Sequence, residues 1–191
     1  MENRTVVTVP EFHVEFYPTG KRGKKNKIVI DACRFVQCPW AGKDDEYELM
    51  VMHGDGTEIE SIRTMDYSEV ERSYARMVSA HCPDSWKNLI ADLKSAKAIA
   101  QAADGNDGGT CNFDSPALSV PEGMKFDQVK ACCAAAGVHC FSWKPLGTGP
   151  KLAVIGCHGV GQGNRRTEGA EAACKFLQSR GYDCGMYYQM D

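Results

Sequence analysis

The densest run of chemically suggestive residues is Gly156-Cys157-His158-Gly159-Val160-Gly161-Gln162-Gly163-Asn164-Arg165-Arg166-Thr167. It follows an apolar stretch of strand character and leads into a segment of helical periodicity. Glycines let backbone N–H groups approach an anion closely, and a helix N-terminus adds partial positive charge. Arg165 and Arg166 carry forked donors suited to a phosphate. On these grounds Gly159, Gly161, Gly163, Asn164, Arg165, Arg166 and Thr167 form a candidate anion site for a small phosphate or nucleotide. The run is not a Walker A loop, because no Gly-Lys-Ser/Thr follows, and it lacks the third glycine of the dinucleotide fingerprint. The plainer alternative is a crossover whose glycines serve backbone geometry, with Asn164 capping the helix and both arginines in solvent.

Other arrangements are weaker. The neighbours His81-Cys82, His139-Cys140 and Cys157-His158 suggest metal ligation, but none lies in a Cys-x-x-Cys frame. Adjacent strand residues point to opposite faces, so His139 and Cys140 do not share an ion. Cys33 and Cys38 lack a matching second pair for zinc, and 104–109 lacks the spaced acids and terminal glutamate of a calcium loop. Cys157, His158 and Asp183 supply the residue types of a nucleophile, base and orienting acid, with no motif fixing their geometry. No catalytic residue, metal or cofactor is expected.

Charge is more informative. The net charge is −3, but 1–108 carries 14 Lys+Arg against 18 Asp+Glu, and 109–191 carries 8 against 7. Lys21, Arg22, Lys24, Lys25 and Lys27 crowd into one loop. From Asp44 to Glu71 ten acids (Asp44, Asp45, Glu46, Glu48, Asp55, Glu58, Glu60, Asp66, Glu69, Glu71) face one base, Arg63. A charge run is commonly a solvated face. A run this one-sided also suits a basic partner, because self-repulsion is relieved on docking and complementary charge steers association. Asp44, Asp45, Glu46, Glu48, Asp55, Glu58 and Glu60 are therefore expected to form a contiguous partner-binding surface.

The elements that must position these residues divide in two, with an expected boundary between 104 and 105. In 1–104, β-rich runs at 6–9, 12–17, 28–35, 47–52 and 58–63 predict an antiparallel sheet, with the basic loop and His53-Gly54-Asp55-Gly56 as hairpin tips. Ile59 and Ile62 do not alternate cleanly. Asp66-Tyr67-Ser68-Glu69 has the form of a capping box. Val70, Tyr74, Met77 and Val78 then stripe one helix, and Trp86, Leu89, Ile90, Leu93 and Ala100 a second. In 105–191 the order is strand 117–120, helix 125–136, strand 138–143, strand 152–155, helix 165–180, strand 182–188. That is the β-α-β-β-α-β order of a ferredoxin-like unit. Gly137-Val138-His139-Cys140-Phe141-Ser142-Trp143 echoes Gly181-Tyr182-Asp183-Cys184-Gly185-Met186-Tyr187, each opening on a helix-stopping glycine and ending on an aromatic, and a duplicated α-β unit is what such a fold needs. The fold class is α+β.

Length (191 residues) and 43% hydrophobic content suffice for a core without staples. No apolar run reaches the roughly 18 residues of a membrane span, and the N-terminus lacks a signal-peptide core. A cytoplasmic location is expected, with the ten cysteines reduced. Cys133, Cys140, Cys174 and Cys184 serve as small core residues.

The segments 107–117 (Asp-Gly-Gly-Thr-Cys-Asn-Phe-Asp-Ser-Pro-Ala) and 161–172 (Gly-Gln-Gly-Asn-Arg-Arg-Thr-Glu-Gly-Ala-Glu-Ala), with the ending Gly181-Tyr182…Met186-Tyr187-Tyr188-Gln189-Met190-Asp191, resemble short accessory proteins of phages and plasmids from gut Firmicutes. That population includes inhibitors of type II RNA-guided CRISPR nucleases of similar size. The resemblance covers 107–191 and transfers no site residue. It implies a non-enzymatic anti-defence protein in a bacterial host cell whose partner is a basic nucleic-acid-binding nuclease or its guide-loaded complex. Such nucleases hold guide and target in positively charged channels. An acidic surface lodged there would block DNA binding, with Asp44–Glu60 as the contact. Direct nucleic-acid binding by this chain is not expected.

Overall fold

The computed structural model describes residues 5–36, 45–104, 106, 108–109, 113–159 and 163–189, apart from the side chain of Leu146. The architecture is α+β, with two antiparallel sheets and four α-helices among the described residues. The chain forms two compact units, Met1–Lys87 and Asn88–Asp191.

In the first unit β1 (Thr5–Thr8), β3 (Ile28–Val36), β4 (Glu46–His53) and β5 (Glu58–Thr64) lie in that order, and β2 (Val14–Phe16) also pairs with β3. Pro10 opens a 3-10 turn over Pro10–Phe12, because its fixed φ favours a helical turn. The expected strand at 12–17 is thereby shortened to Val14–Phe16. The pleat sends Ile28, Ile30, Ala32, Leu49 and Val51 to one face, where they are buried. Helix α1 (Tyr67–His81) covers that face with Val70, Tyr74, Met77 and Val78. The Phe12 ring packs on Tyr67 and Tyr74, and Phe16 on Trp86. The uneven alternation in β5 has a local cause: the register shifts between Val51↔Glu60 and Met52↔Glu58, leaving Ile59 as the extra residue of a bulge.

Asp66 caps α1, its carboxylate accepting the Ser68 N–H at 2.9 Å. The expected reciprocal bond from Glu69 is replaced by a relay through Thr64. That hydroxyl accepts the Asp66 N–H and donates to the Glu69 carboxylate at 2.5 Å.

Helix α2 (Asp84–Gln101) follows α1 directly, yet from Asn88 onward it belongs to the second unit. Asp92 is 8% exposed and accepts from Arg180 Nε and the Tyr182 hydroxyl, both at 2.9 Å. Lys97 Nζ donates to the Gly137 carbonyl at 2.7 Å. The remaining elements are β6 (Ser115–Ser119), α3 (Phe126–Ala135), β7 (Cys140–Trp143), β8 (Leu152–Ile155), α4 (Asn164–Ser179) and β9 (Cys184–Tyr187). The sheet order is β7-β8-β6-β9, antiparallel throughout.

The echo at the two glycines is realised in backbone geometry. Gly137 (φ 68°) follows α3 and Gly181 (φ 90°) follows α4. In each case the next residue's N–H returns to a carbonyl five residues earlier, Val138 to Cys133 and Tyr182 to Leu177. These are Schellman closures, which use the left-handed conformation glycine adopts freely. No helix among the described residues is long and apolar enough to cross a membrane.

Candidate functional site

The glycine-rich loop leaves β8 and enters α4 through Gly163, whose φ is 59°. Gly161 lies outside the described residues. The helix N-terminus is closed by the chain itself. The Asn164 N–H donates to the Gly108 carbonyl at 2.8 Å and the Arg165 N–H to the Asn106 carbonyl at 3.0 Å. Asn164 is therefore not the cap; its side-chain amide donates to Asn106 Oδ1 at 3.2 Å. Arg165 Nε donates to the Ala103 carbonyl at 3.2 Å. The Arg166 guanidinium lies 5.1 Å from the Phe113 ring centroid, within cation–π range. Thr167 donates its hydroxyl to the buried carboxylate of Asp114 at 2.7 Å.

The glycines have a packing role. A Cβ on Gly169 would lie 2.4 Å from the Gly159 nitrogen and 2.6 Å from the Ala100 carbonyl oxygen. A Cβ on Gly159 would lie 2.3 Å from the Arg165 carbonyl oxygen. Loop and helix backbones touch where a side chain would stand. The Asn164 and Arg165 donors expected to face a phosphate thus face Ala103, Asn106 and Gly108 instead, Arg166 Nε is buried with no hydrogen-bond partner among the described residues, and Gly159 serves close approach.

Cys157, His158 and Asp183 are not assembled as a triad. Cys157 is fully buried, and burial pushes its thiol up to about 12. His158 Nδ1 lies 3.2 Å from the Gly159 carbonyl, while Asp183 accepts the Ser119 hydroxyl at 2.6 Å. Among the described residues no three His, Cys, Asp or Glu side chains converge in a metal-binding group.

The acids expected to form one surface are divided among the hairpin tip, an ion pair with Arg34 and the two faces of the sheet, and Asp44 lies outside the described residues. Asp55 sits at the β4–β5 hairpin, accepting the Thr57 N–H at 3.1 Å. Asp45 pairs with Arg34 at 3.2 Å. Glu60 stands opposite Val51 on the helix-covered face, bound by Arg76 at 3.1 Å and His81 at 2.9 Å. Burial alone would raise the Glu60 carboxyl, but the hydrogen bonds from His81 and Arg76 outweigh it and lower it.

Glu46, Glu48 and Glu58 are different. The register places them on the face of the first sheet that α1 does not cover, opposite Phe35, Cys33 and Met52. The same face carries Asp31 and Glu15, opposite Met50 and Val29. Five carboxylates thus share one sheet face with half-buried Val29, Met50 and Met52. Among the described residues Lys27 lies 2.6 Å from Glu15, Arg63 2.8 Å from Glu48 and His13 3.6 Å from Asp31. Cys33 reports the local field: burial raises its thiol, and the Asp31 and Glu48 charges raise it further. Asp31 and Glu15 escape a residue-window count of charge because strand pairing, not sequence proximity, brings them beside Glu46 and Glu48. The readable signal is the period-2 alternation of each strand.

No family of known proteins, no curated protein and no solved structure matches the chain.

Proposed function

We propose that the chain is a non-enzymatic binding protein that docks a basic, nucleic-acid-handling protein through the face of its first sheet that α1 does not cover. In the specific form implied by the resemblance of 107–191, it is an anti-defence protein. The partner is then a type II RNA-guided nuclease, and the inhibited step is DNA binding. The observation that supports this reading is the gathering of Glu15, Asp31, Glu46, Glu48 and Glu58 around Val29, Met50 and Met52 on one pleated face. Glu46 and Glu48, two residues apart on β4 and so about 7 Å from each other, with Asp31 diagonal to Glu48 across the β3–β4 pairing, offer a basic groove clustered negative charge. The interleaved apolar side chains add burial, which carries more affinity than exposed ion pairs do. The contact is narrower than the charge run Asp44–Glu60: Glu60 stands on the helix-covered face with Arg76 and His81, and Asp55 sits at the hairpin tip. The second unit, with its β-α-β-β-α-β order, serves in this reading as a ferredoxin-like support.

The test is binding of the purified chain to a guide-loaded type II nuclease across a salt series. Association should weaken steeply as salt rises, since steering by exposed charge is screened over about 10 Å at 0.1 M. Joint reversal of Glu46, Glu48 and Glu58 to lysine should abolish it, while Arg165→Ala with Arg166→Ala should leave it intact. Binding that survives the triple reversal refutes the reading.

A further inference from the structure

All six described cysteines of the second unit are buried: Cys132, Cys133, Cys140, Cys157, Cys174 and Cys184. They are not equivalent. Cys174, on the inner face of α4, places its Sγ 3.5 Å from Sγ of Cys184, the first residue of β9. Cys133 of α3 and Cys140, the first residue of β7, likewise shift each other's thiols. Each pair joins a helix to the strand that follows it across the turn made by Gly137 or Gly181. Both strands are the outer ones of the sheet. The correspondence is approximate, since Cys174 stands one helical turn further from its glycine than Cys133 does.

We infer that Cys174 with Cys184 is a dithiol site that a hydroperoxide converts to an intramolecular disulfide, fastening α4 to the outer strand β9. The Cys174 and Cys184 sulfurs, 3.5 Å apart, need only close to the roughly 2.05 Å of an S–S bond. The chemistry starts at the thiolate. In the neutral pair the Cys174 thiol points at Cys184 Sγ. Once Cys174 ionises, the Cys184 S–H turns to donate to it, and that hydrogen bond lowers Cys174. The Cys174 thiolate attacks a peroxide oxygen; the O–O bond breaks, hydroxide leaves, and a sulfenic acid remains. Cys184 sulfur then attacks the sulfenic sulfur; the S–S bond forms, the S–O bond breaks, and the leaving hydroxide takes the Cys184 proton as water. In sum two thiols lose two electrons and two protons to one peroxide, giving two waters. Cys157, fully buried with its thiol pushed up to about 12, has no such route.

Access is provided at the sheet margins. Cys184 lies in a four-residue outer strand, and elements of that kind open locally at low cost.

The experiment treats folded, fully reduced protein with hydrogen peroxide, blocks remaining thiols with iodoacetamide, and maps the digest by mass spectrometry. The expected product is a peptide pair joined through Cys174 and Cys184, reversed by dithiothreitol, with a Tm several degrees above that of the reduced protein. In Cys174→Ser the Cys174–Cys184 peptide disappears and Cys184 carries the alkyl group. Recovery of Cys174 and Cys184 fully alkylated from the oxidised wild-type protein overturns the inference, as does a link that forms only in urea. The wild-type measurement decides the matter even if the serine variant fails to fold.

Discussion

Replacing Gly169 by alanine tests the role given to the glycines more sharply than any loop deletion. In an ordinary helix interior the change is favourable by about 1 kcal/mol, since alanine loses less backbone entropy. Here the new Cβ would stand 2.4 Å from the Gly159 nitrogen and 2.6 Å from both the Gly159 Cα and the Ala100 carbonyl oxygen. All three are backbone atoms, so no side-chain rotation relieves the overlap; helix or loop must move by roughly 1 Å, given carbon contacts of about 3.5 Å. Overpacking of this kind costs about 1–3 kcal/mol and sometimes more, and backbone on both sides puts it at the upper end. The net expectation is a loss of about 2 kcal/mol, or roughly 4–8 °C in Tm for a chain of this size. Thermal and urea denaturation of Gly169→Ala beside Glu168→Ala, an exposed neighbour on the same helix, measure it. Glu168→Ala should be near neutral. A Gly169→Ala protein as stable as wild type, or more so, would refute the close-approach account and return the glycines to ligand binding.

Asp92→Ala removes the acceptor for Arg180 and Tyr182; a loss of about 2–4 kcal/mol in urea denaturation is expected, since bonds to a charged group are each worth about 1.5–3 kcal/mol. Glu60 has a lowered carboxyl: burial raises it, but His81 and Arg76 bring it below its usual value. Its stabilisation is therefore present above the ordinary glutamate value of about 4.3 and lost as pH falls through the lower folded value. The stability gap between wild type and Glu60→Gln should accordingly close under acid and open toward neutrality; a gap independent of pH contradicts this. Asp31→Asn with Glu48→Gln should speed alkylation of Cys33 at mildly alkaline pH, measured by peptide mapping. Burial, the larger cause of its raised thiol, would persist, but the two charges would be gone; an unchanged rate would show that the face carries no such field.

Local rules transferred well from sequence to structure where a single element carried the information. The stripe Val70, Tyr74, Met77, Val78 is buried as its spacing predicts. Asp66 caps α1, and the two post-helical glycines close the α3 and α4 corners in the same way. Cys133, Cys140, Cys174 and Cys184 are core residues as expected. What could not be read was whatever depends on distant pairing. A count over 44–71 found one base, but Arg34, Arg76 and His81 arrive from outside that window. The same pairing brings Asp31 and Glu15 to the acidic face. The α4 N-terminus is occupied by carbonyls some 55 residues earlier in the chain, which no local pattern announces. Helix α2 reads as the partner of α1, yet Asp92 and Lys97 engage the second unit through Arg180, Tyr182 and Gly137.

The most direct measurement is DNA loading by a guide-loaded type II nuclease in the presence of this chain, with and without lysine at 46, 48 and 58. Docking through the acidic sheet face predicts that the wild-type chain prevents loading at low salt and that the triple variant, folded by circular dichroism, does not. Unimpeded loading with the wild-type chain, or equal inhibition by the variant, would contradict it.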